Sequence, residues 1–242
     1  MATRSAFILA ACVSAAIVLT SCGSKPVPKP QNQAQPQTAA KPQTANEPSE
    51  GATPLNEPRP DQRPVIVAFG DSLTQGVSGK SYPAFLQDLL DKNGYAYRVD
   101  NQGVSGDTTI DGLARIDNVV AAKPALVVLE FGGNDGLRGI PVESTKQNLE
   151  EMIRRLQSEH LPLVLAGITL PPNYGADYVG PFTAMYPALA GKYKLRFIPF
   201  LLSNVYNKSG MMQPDGIHPS EDGNRVVAQD VFELIEPLLK RT

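Results

Sequence analysis

The chain has 242 residues, of which 42% are hydrophobic, and its formal net charge is -2. This length and apolar content suffice for one globular domain with a substantial core, and the near-neutral charge excludes a strongly basic nucleic-acid-binding surface. No apolar run reaches the roughly 20 residues that a membrane-spanning helix needs.

Residues 1–21 have the pattern of a secretory signal peptide. Arg4 gives a positive start, and residues 6–19 form an apolar stretch that is followed by small residues. Residues 19–22 (LTSC) resemble a bacterial lipobox, in which Cys22 becomes the lipidated first residue of the mature protein. The alternative is a plain signal peptide with an incidental cysteine.

The residues after Cys22 are Gly and Ser, with no Asp beside the cysteine. By resemblance to the sorting pattern of Gram-negative lipoproteins, this predicts an envelope protein that is lipid-anchored on the periplasmic side of the outer membrane. Because Cys12 lies in the removed segment, the mature chain keeps one cysteine and cannot form an internal disulfide.

Residues 22–63 are predicted to be a disordered tether that begins at the lipidated cysteine. They are rich in Pro, Gln, Ala, Thr and Asn and contain few large apolar side chains, so burial cannot offset the loss of chain entropy. About 40 residues would span on the order of 120 Å as polyproline II and several-fold less as coil. Residues 64–242 are then the folded domain.

In this domain, strand and helix patterns alternate. Short apolar runs such as residues 64–70 (PVIVAFG) are typical of buried parallel strands, and helices are predicted where apolar residues recur at helical spacing. The predicted strands are residues 64–70, 97–104, 125–131, 161–168 and 195–199. The predicted helices are residues 82–93, 107–122, 143–159, 178–192 and 220–240.

This alternation predicts an α/β fold, a three-layer αβα sandwich around a five-stranded parallel sheet with right-handed crossovers. In such folds the ligand crevice lies beyond the carboxyl ends of the strands. Ser72, Gly103 and Asn134 each lie at or just after the end of one of the first three strands. The sequence therefore places all three at one edge of the sheet.

Ser72 and His218 are the candidate nucleophile and general base. A serine needs a base to remove its proton, and His218, with Asp215 three residues before it to hold the ring, could supply one. The alternatives are a helix N-cap for Ser72 and a simple turn at Asp215. Thr74 stands where a Gly-x-Ser-x-Gly elbow would have its last glycine, and His160 is predicted at the opposite edge of the sheet with no role.

Acyl transfer also needs hydrogen-bond donors for the developing oxyanion. Candidates are the backbone N–H groups of Ser72 and Gly103 and the side-chain amide of Asn134, which could instead be part of an Asn-Asp turn. No zinc-type Cys/His cluster, calcium loop or dinucleotide-binding motif is present. No metal or organic cofactor is therefore predicted.

Five segments resemble the SGNH (GDSL) hydrolase superfamily, and in particular its branch of bacterial arylesterases, thioesterase I and lysophospholipase L1. They are residues 70–76 (GDSLTQG), 101–108 (NQGVSGDT), 129–137 (LEFGGNDGL), 171–174 (PPNY) and 212–219 (MQPDGIHP). The resemblance covers nearly all of residues 63–242.

This resemblance implies a flavodoxin-like fold and a serine esterase that hydrolyses carboxylic esters or thioesters through an acyl-enzyme on Ser72. It implies His218 as the base, Asp215 as its orienting acid, and an oxyanion hole made by Ser72, Gly103 and Asn134. It also implies that residues 136–141 form a mobile substrate loop.

The acyl-binding groove is a further expectation. Its candidates follow strand ends or precede the His218 loop, and ordinary core packing is the alternative for each of them. They are Leu137, Ile140, Pro171, Pro172, Tyr174 and Met211.

Two other functions stay open at this point. The same residues would support an O-acetyl-esterase or acyltransferase acting on envelope glycans, and the domain could instead be a non-catalytic module of an envelope lipoprotein. The expected partners are a small-molecule or lipid ester and, through Cys22, a membrane; no nucleic-acid partner is expected, and the sequence does not predict an oligomeric state.

Overall fold

The structure, a computed structural model, describes residues 61–241. The predicted signal peptide, the predicted lipidation site at Cys22 and most of the predicted tether lie outside the described residues. No helix within residues 61–241 is both long and apolar enough to cross a membrane.

Five strands form one parallel sheet in the order β2-β1-β3-β4-β5, which confirms the predicted α/β fold. The central strands β1 and β3 are buried on both faces, as their continuous apolar sequences predict. The strands are β1 (Val65–Gly70), β2 (Arg98–Gly103), β3 (Leu126–Glu130), β4 (Leu163–Ala166) and β5 (Arg196–Ile198).

Helices cover both faces of the sheet and complete the three layers. The second helix, α2, packs against α8, and α6 packs against both α3 and α7. The α-helices of the described residues are α1 (Ser72–Gln75), α2 (Tyr82–Lys92), α3 (Thr109–Ala114), α4 (Ile116–Ala121), α5 (Gly133–Leu137), α6 (Val142–Ser158), α7 (Ala176–Tyr193) and α8 (Glu221–Ile235).

The core is the apolar interior between these layers. Phe69 at the end of β1 meets Phe131 after β3 with ring centroids 4.9 Å apart, and both side chains are fully buried. Burying one such side chain contributes about 1.5–3 kcal/mol to stability. The rigid ends of β1 and β3 therefore form the base on which the loops at the carboxyl edge of the sheet stand.

The structure differs from the helices predicted from the sequence in three respects. The single helix predicted at residues 107–122 is two helices, because the backbone at Arg115 leaves the helical conformation (φ -116°, ψ 12°). Two short helices, α1 and α5, were not predicted, and α5 contains the start of the expected loop at residues 136–141. The last helix ends at Ile235, since Pro237 in the next turn lacks an N–H to continue it.

Candidate active site

Ser72 is the first residue of α1, immediately after β1, and only 8% of its surface is exposed. The cap of this helix is Asp71, whose Oδ1 accepts a hydrogen bond from the Leu73 N–H at 3.0 Å. The alternative reading of Ser72 as a helix cap is therefore wrong, and its hydroxyl is left for another partner. That partner is His218, whose Nε2 lies 2.9 Å from Ser72 Oγ although 146 residues separate the two.

The turn before α8 holds the His218 ring. Asp215 Oδ2 lies 2.7 Å from His218 Nδ1, and Asp215 Oδ1 accepts hydrogen bonds from the N–H groups of Ile217 and His218 at 2.9 and 3.0 Å. Gly216 permits this tight turn with φ +66°. With the Nδ1 proton bonded to Asp215, Nε2 is free to accept the proton of Ser72.

These bonds also set the charge of Asp215. Partial burial acts to raise the pKa of its carboxyl group, but the hydrogen bonds from the His218 ring and from the backbone N–H groups outweigh burial and lower the pKa to about 2. Asp215 is therefore ionised throughout the neutral and mildly acidic range, where its carboxylate can accept the hydrogen bond from His218 Nδ1.

Asn134, in α5, lies on the other side of Ser72. Its Nδ2 donates to Asp71 Oδ2 at 3.1 Å and to the backbone oxygen of Asp107 at 2.9 Å. The side chain is thereby fixed by residues from the loops after β1 and β2. The structure brings Ser72, Asn134 and His218 to the wall of one cavity.

Two buried carboxyl groups lie directly behind this arrangement. Asp71 and Glu130 are almost entirely shielded from solvent, and Glu130 Oε2 accepts hydrogen bonds from the Asp71 N–H at 3.2 Å and from Thr74 Oγ1 at 2.9 Å. Burial raises the pKa of both groups, and the charge of Asp71 raises that of Glu130 further. Among residues 61–241, Glu130 Oε1 has no hydrogen-bond partner, which fits a neutral carboxyl group.

Gly103, the predicted oxyanion donor of the loop after β2, does not reach the cavity. Its N–H donates to Asn101 Oδ1 at 2.9 Å, and a Cβ placed on it would lie 2.1 Å from the Gln75 nitrogen. The glycine that lines the cavity is Gly106, three residues further along, with φ +86°. Within the described chain, no acceptor takes the N–H of either Ser72 or Gly106.

The cavity has a volume of about 300 Å³ and is mainly apolar. Leu137 and Pro171 of the predicted groove line it, whereas Ile140, Pro172, Tyr174 and Met211 do not. The lining residues that the sequence reasoning missed are Leu73, Ser105, Gly106, Gly133, Ile168, Thr169, Leu170, Phe200, Leu202, Tyr206, Gly216 and Ile217, beside Asp71.

The four residues outside the cavity have other contacts. Tyr174 donates its hydroxyl to the Leu137 oxygen at 3.3 Å, and the Ile140 oxygen accepts from Tyr178 at 2.6 Å. Pro172 is exposed at the start of a short 3-10 helix, and Met211 packs against the core. Tyr174 and Ile140 therefore lie behind the cavity wall and not on its surface.

A signal for the missed residues was present in the sequence. Ile168, Thr169 and Leu170 follow β4, and Phe200 and Leu202 follow β5, so they obey the same strand-end rule that placed Ser72. The sequence prediction included Pro171, Pro172 and Tyr174 beyond β4, but it did not include these residues, which lie closer to the strand ends.

The model of the GDSL-like lipase/acylhydrolase family matches residues 68–226. The chain is 42% identical over 178 residues to "Esterase TesA" of Pseudomonas aeruginosa, a match that covers 72% of this chain and 89% of that protein. It is 36% identical over 175 residues to "Thioesterase 1/protease 1/lysophospholipase L1" of Escherichia coli, covering 72% and 84%.

A solved structure of a similar protein has the same fold. The crystal structure of TesA matches with a TM-score of 0.69 and 41% identity, covering 72% of this chain and 99% of that one. The fold is thus common to this chain and TesA.

Proposed function

Because this chain belongs to the GDSL-like lipase/acylhydrolase family and is a carboxylic ester hydrolase, we propose that it cleaves esters and thioesters through an acyl-enzyme on Ser72. The observation that carries the assignment to Ser72 is its 2.9 Å contact with His218, which is itself held by Asp215. This is the geometry of an activated serine nucleophile.

The proposed reaction has two halves. Ser72 Oγ attacks the carbonyl carbon while His218 Nε2 takes its proton, and His218 then gives that proton to the leaving alcohol or thiol. In the second half His218 takes a proton from water, whose oxygen attacks the acyl carbon. The bond to Ser72 Oγ then breaks, His218 returns the proton to that oxygen, and the acid is released. Asp215 keeps the Nδ1 proton in place and stabilises the imidazolium that forms twice in each cycle.

The oxyanion of each tetrahedral intermediate needs donors that are free or easily freed. The N–H groups of Ser72 and Gly106 are free within the described chain, and we assign them this role in place of Gly103. Both hydrogens of the Asn134 amide are already bonded, to Asp71 and to the Asp107 oxygen. In this proposal Asn134 is the third donor. One of its two amide hydrogens then bonds the oxyanion, either in addition to its present acceptor or in place of it.

The mainly apolar lining of the cavity supports an acyl chain as its occupant, in line with aryl esters, acyl thioesters and lysophospholipids as substrates. It does not favour an acetylated glycan, which would need polar groups around the sugar. The test is a panel of p-nitrophenyl esters, acyl thioesters and lysophospholipids, together with a fluorophosphonate probe. Hydrolysis without a probe adduct on the peptide that contains Ser72 would contradict the proposal.

Alanine substitutions at Gly106 and Gly103 distinguish the proposed oxyanion donor, Gly106, from a glycine that is needed only for packing. We expect Gly106→Ala to lower kcat by about 10²-fold, because alanine disfavours φ +86° and its accommodation moves the N–H. Gly103→Ala is expected to lower stability by about 1–3 kcal/mol or more, since its Cβ would meet the backbone of Gln75. The measurements are kcat for p-nitrophenyl acetate and the thermal midpoint.

Gly139→Ala is the control for backbone strain, because Gly139 has φ +67° and nothing lies within 4 Å of its Cβ position. A wild-type kcat in Gly106→Ala, with a folded but inactive Gly103→Ala, would return the donor role to Gly103.

Leu137 offers a test of the acyl cavity. A carboxylate at this position removes apolar wall, and each buried CH₂ of the substrate is worth about 0.8 kcal/mol. Leu137→Asp is therefore expected to lower kcat/KM for octanoyl and longer p-nitrophenyl esters about tenfold or more relative to the acetyl ester. Leu238→Asp, at an exposed leucine outside the cavity, is the control; equal losses at all chain lengths in Leu137→Asp would exclude Leu137 from the acyl site.

We also propose that the protein is anchored by lipid at Cys22 on the periplasmic side of the outer membrane, which the LTSC segment supports. Cys22→Ala is expected to abolish incorporation of labelled palmitate and to release the esterase from the membrane fraction. Cys12→Ala is the matched control and should keep the label. A Cys22→Ala protein that is still labelled would reject the anchor.

A further inference from the structure

We propose that Arg115 is a positioning residue for the oxyanion donors, an inference that rests on the proposed function. Arg115 lies at the break between α3 and α4, where the sequence predicts a continuous helix. Its side chain turns to the carboxyl edge of the sheet and is only 20% exposed. It does not line the cavity, and in this proposal it acts through the loops of the site and not by touching the substrate.

The guanidinium group joins the loops that carry the site. Nη2 donates to the Gly70 oxygen at 2.9 Å, two residues before Ser72, and Nη1 donates to the Gln102 oxygen at 2.8 Å. Nε donates to Asp107 Oδ2 at 2.8 Å. One planar group therefore ties the end of β1 to both ends of the loop that contains Gly106.

Asp107 passes this constraint to two of the proposed donors. Asp107 directly follows Gly106, so holding Asp107 in place limits the backbone conformations that Gly106 can adopt. Its backbone oxygen also accepts the 2.9 Å hydrogen bond from Asn134 Nδ2. Holding the Asp107 carboxylate thus orients the Gly106 N–H and the Asn134 amide together.

The aromatic core holds the guanidinium in turn. Its carbon lies 4.5 Å from the centre of the Phe69 ring and 5.5 Å from that of Phe131, on the buried ends of β1 and β3. Such stacking suits the flat guanidinium, and a lysine ammonium cannot reproduce three bonds in one plane. Arg115 therefore connects the rigid sheet to the donors that must not move during the reaction.

The first test is Arg115→Lys, with p-nitrophenyl acetate as a substrate too short to depend on the acyl cavity. Displacement of catalytic groups by about 1 Å costs on the order of 10² in rate, so we expect kcat to fall about 10²-fold with KM changed by less than about threefold. Asp107→Asn, which keeps the backbone oxygen but weakens the ion pair, is expected to give a similar fall. The double variant should lose little more than either single variant, because both act through one contact.

Arg155→Lys is the matched control, since Arg155 bonds Asp117 and Glu159 on the surface and should leave kcat unchanged. Chemical rescue separates positioning from a general loss of stability. Millimolar guanidinium chloride should raise kcat of Arg115→Ala several-fold, whereas ammonium chloride at equal ionic strength should not.

Values of kcat within about twofold of the wild type in both Arg115→Lys and Asp107→Asn would overturn the inference. If Arg115→Lys does not fold, Asp107→Asn alone decides. Full activity in Ser72→Ala would instead show that the proposed function itself has failed.

Discussion

Ser72→Ala is expected to lower kcat for p-nitrophenyl esters about 10⁶-fold, to the level that binding and oxyanion donors alone supply. Alanine removes the oxygen that forms the acyl-enzyme, and His218, whose Nε2 contacts that oxygen, is left with no serine hydroxyl to activate. The fold should be unaffected, since Asp71 and not Ser72 caps α1. Activity of the purified variants and labelling by a fluorophosphonate probe measure the effect.

Ser105→Ala is the matched control for this experiment. Ser105 is a second serine on the wall of the same cavity, and its recorded hydrogen bond, to Gln75, uses the backbone N–H rather than the hydroxyl. It should retain activity and labelling. A Ser72→Ala protein that is still labelled at the wild-type rate would place the nucleophile elsewhere.

The parallel sheet and the placement of Ser72 after its first strand were predictable because both follow from local sequence patterns. A run such as residues 64–70 is typical of a buried strand, and parallel strands bring their carboxyl ends to one edge. The meeting of Ser72 with His218 was a weaker inference from the residues alone. It depended on the turn that Gly216 and Asp215 form, which folds the imidazole back over α1.

The choice between two glycines was not predictable from the same rules. Gly103 is the last residue of β2 and Gly106 lies three residues further along, in the loop that follows, and from the sequence either could offer an unobstructed N–H. What decides between them is Asn101, whose side chain accepts the Gly103 N–H and donates to the oxygen of Thr74 at 3.0 Å. A side chain that reaches across to another loop leaves no periodic pattern in the sequence.

The broken helix at Arg115 has a similar origin. Residues 107–122 have the composition of one helix, and nothing local forbids it. The break exchanges regular helical geometry at Arg115 for bonds to Gly70, Gln102 and Asp107, which lie on other elements. Sequence reasoning that follows local propensity is expected to fail where long-range contacts serve a site.

The second large effect is expected at Asp215. Asp215→Asn keeps the size of the side chain but no longer holds the His218 proton on Nδ1. The ring can then take the tautomer with its proton on Nε2, which cannot accept the proton of Ser72, so kcat should fall about 10⁴-fold at neutral pH. The kcat of His218→Ala should be as low as that of Ser72→Ala. The kcat of the double variant should be no lower than that of either single variant, because the two residues act as a unit. Glu150→Gln, at a carboxylate whose pKa is also lowered but which bonds Lys192 and Tyr193 away from the cavity, is the control.

The pH dependence distinguishes the role of Asp215 in catalysis from its role in stability. Because the folded state lowers its pKa from 3.8 to about 2, its stabilising contribution is fully present above about pH 4 and is lost as the pH falls toward 2. With the Asp215 side chain 42% exposed, solvent screening keeps this contribution small. Between pH 5 and 8 the carboxylate stays ionised, so Asp215→Asn should lose the same large factor in kcat across that whole interval while its thermal midpoint hardly changes. A loss of activity that instead follows the midpoint would mean that Asp215 only supports the turn.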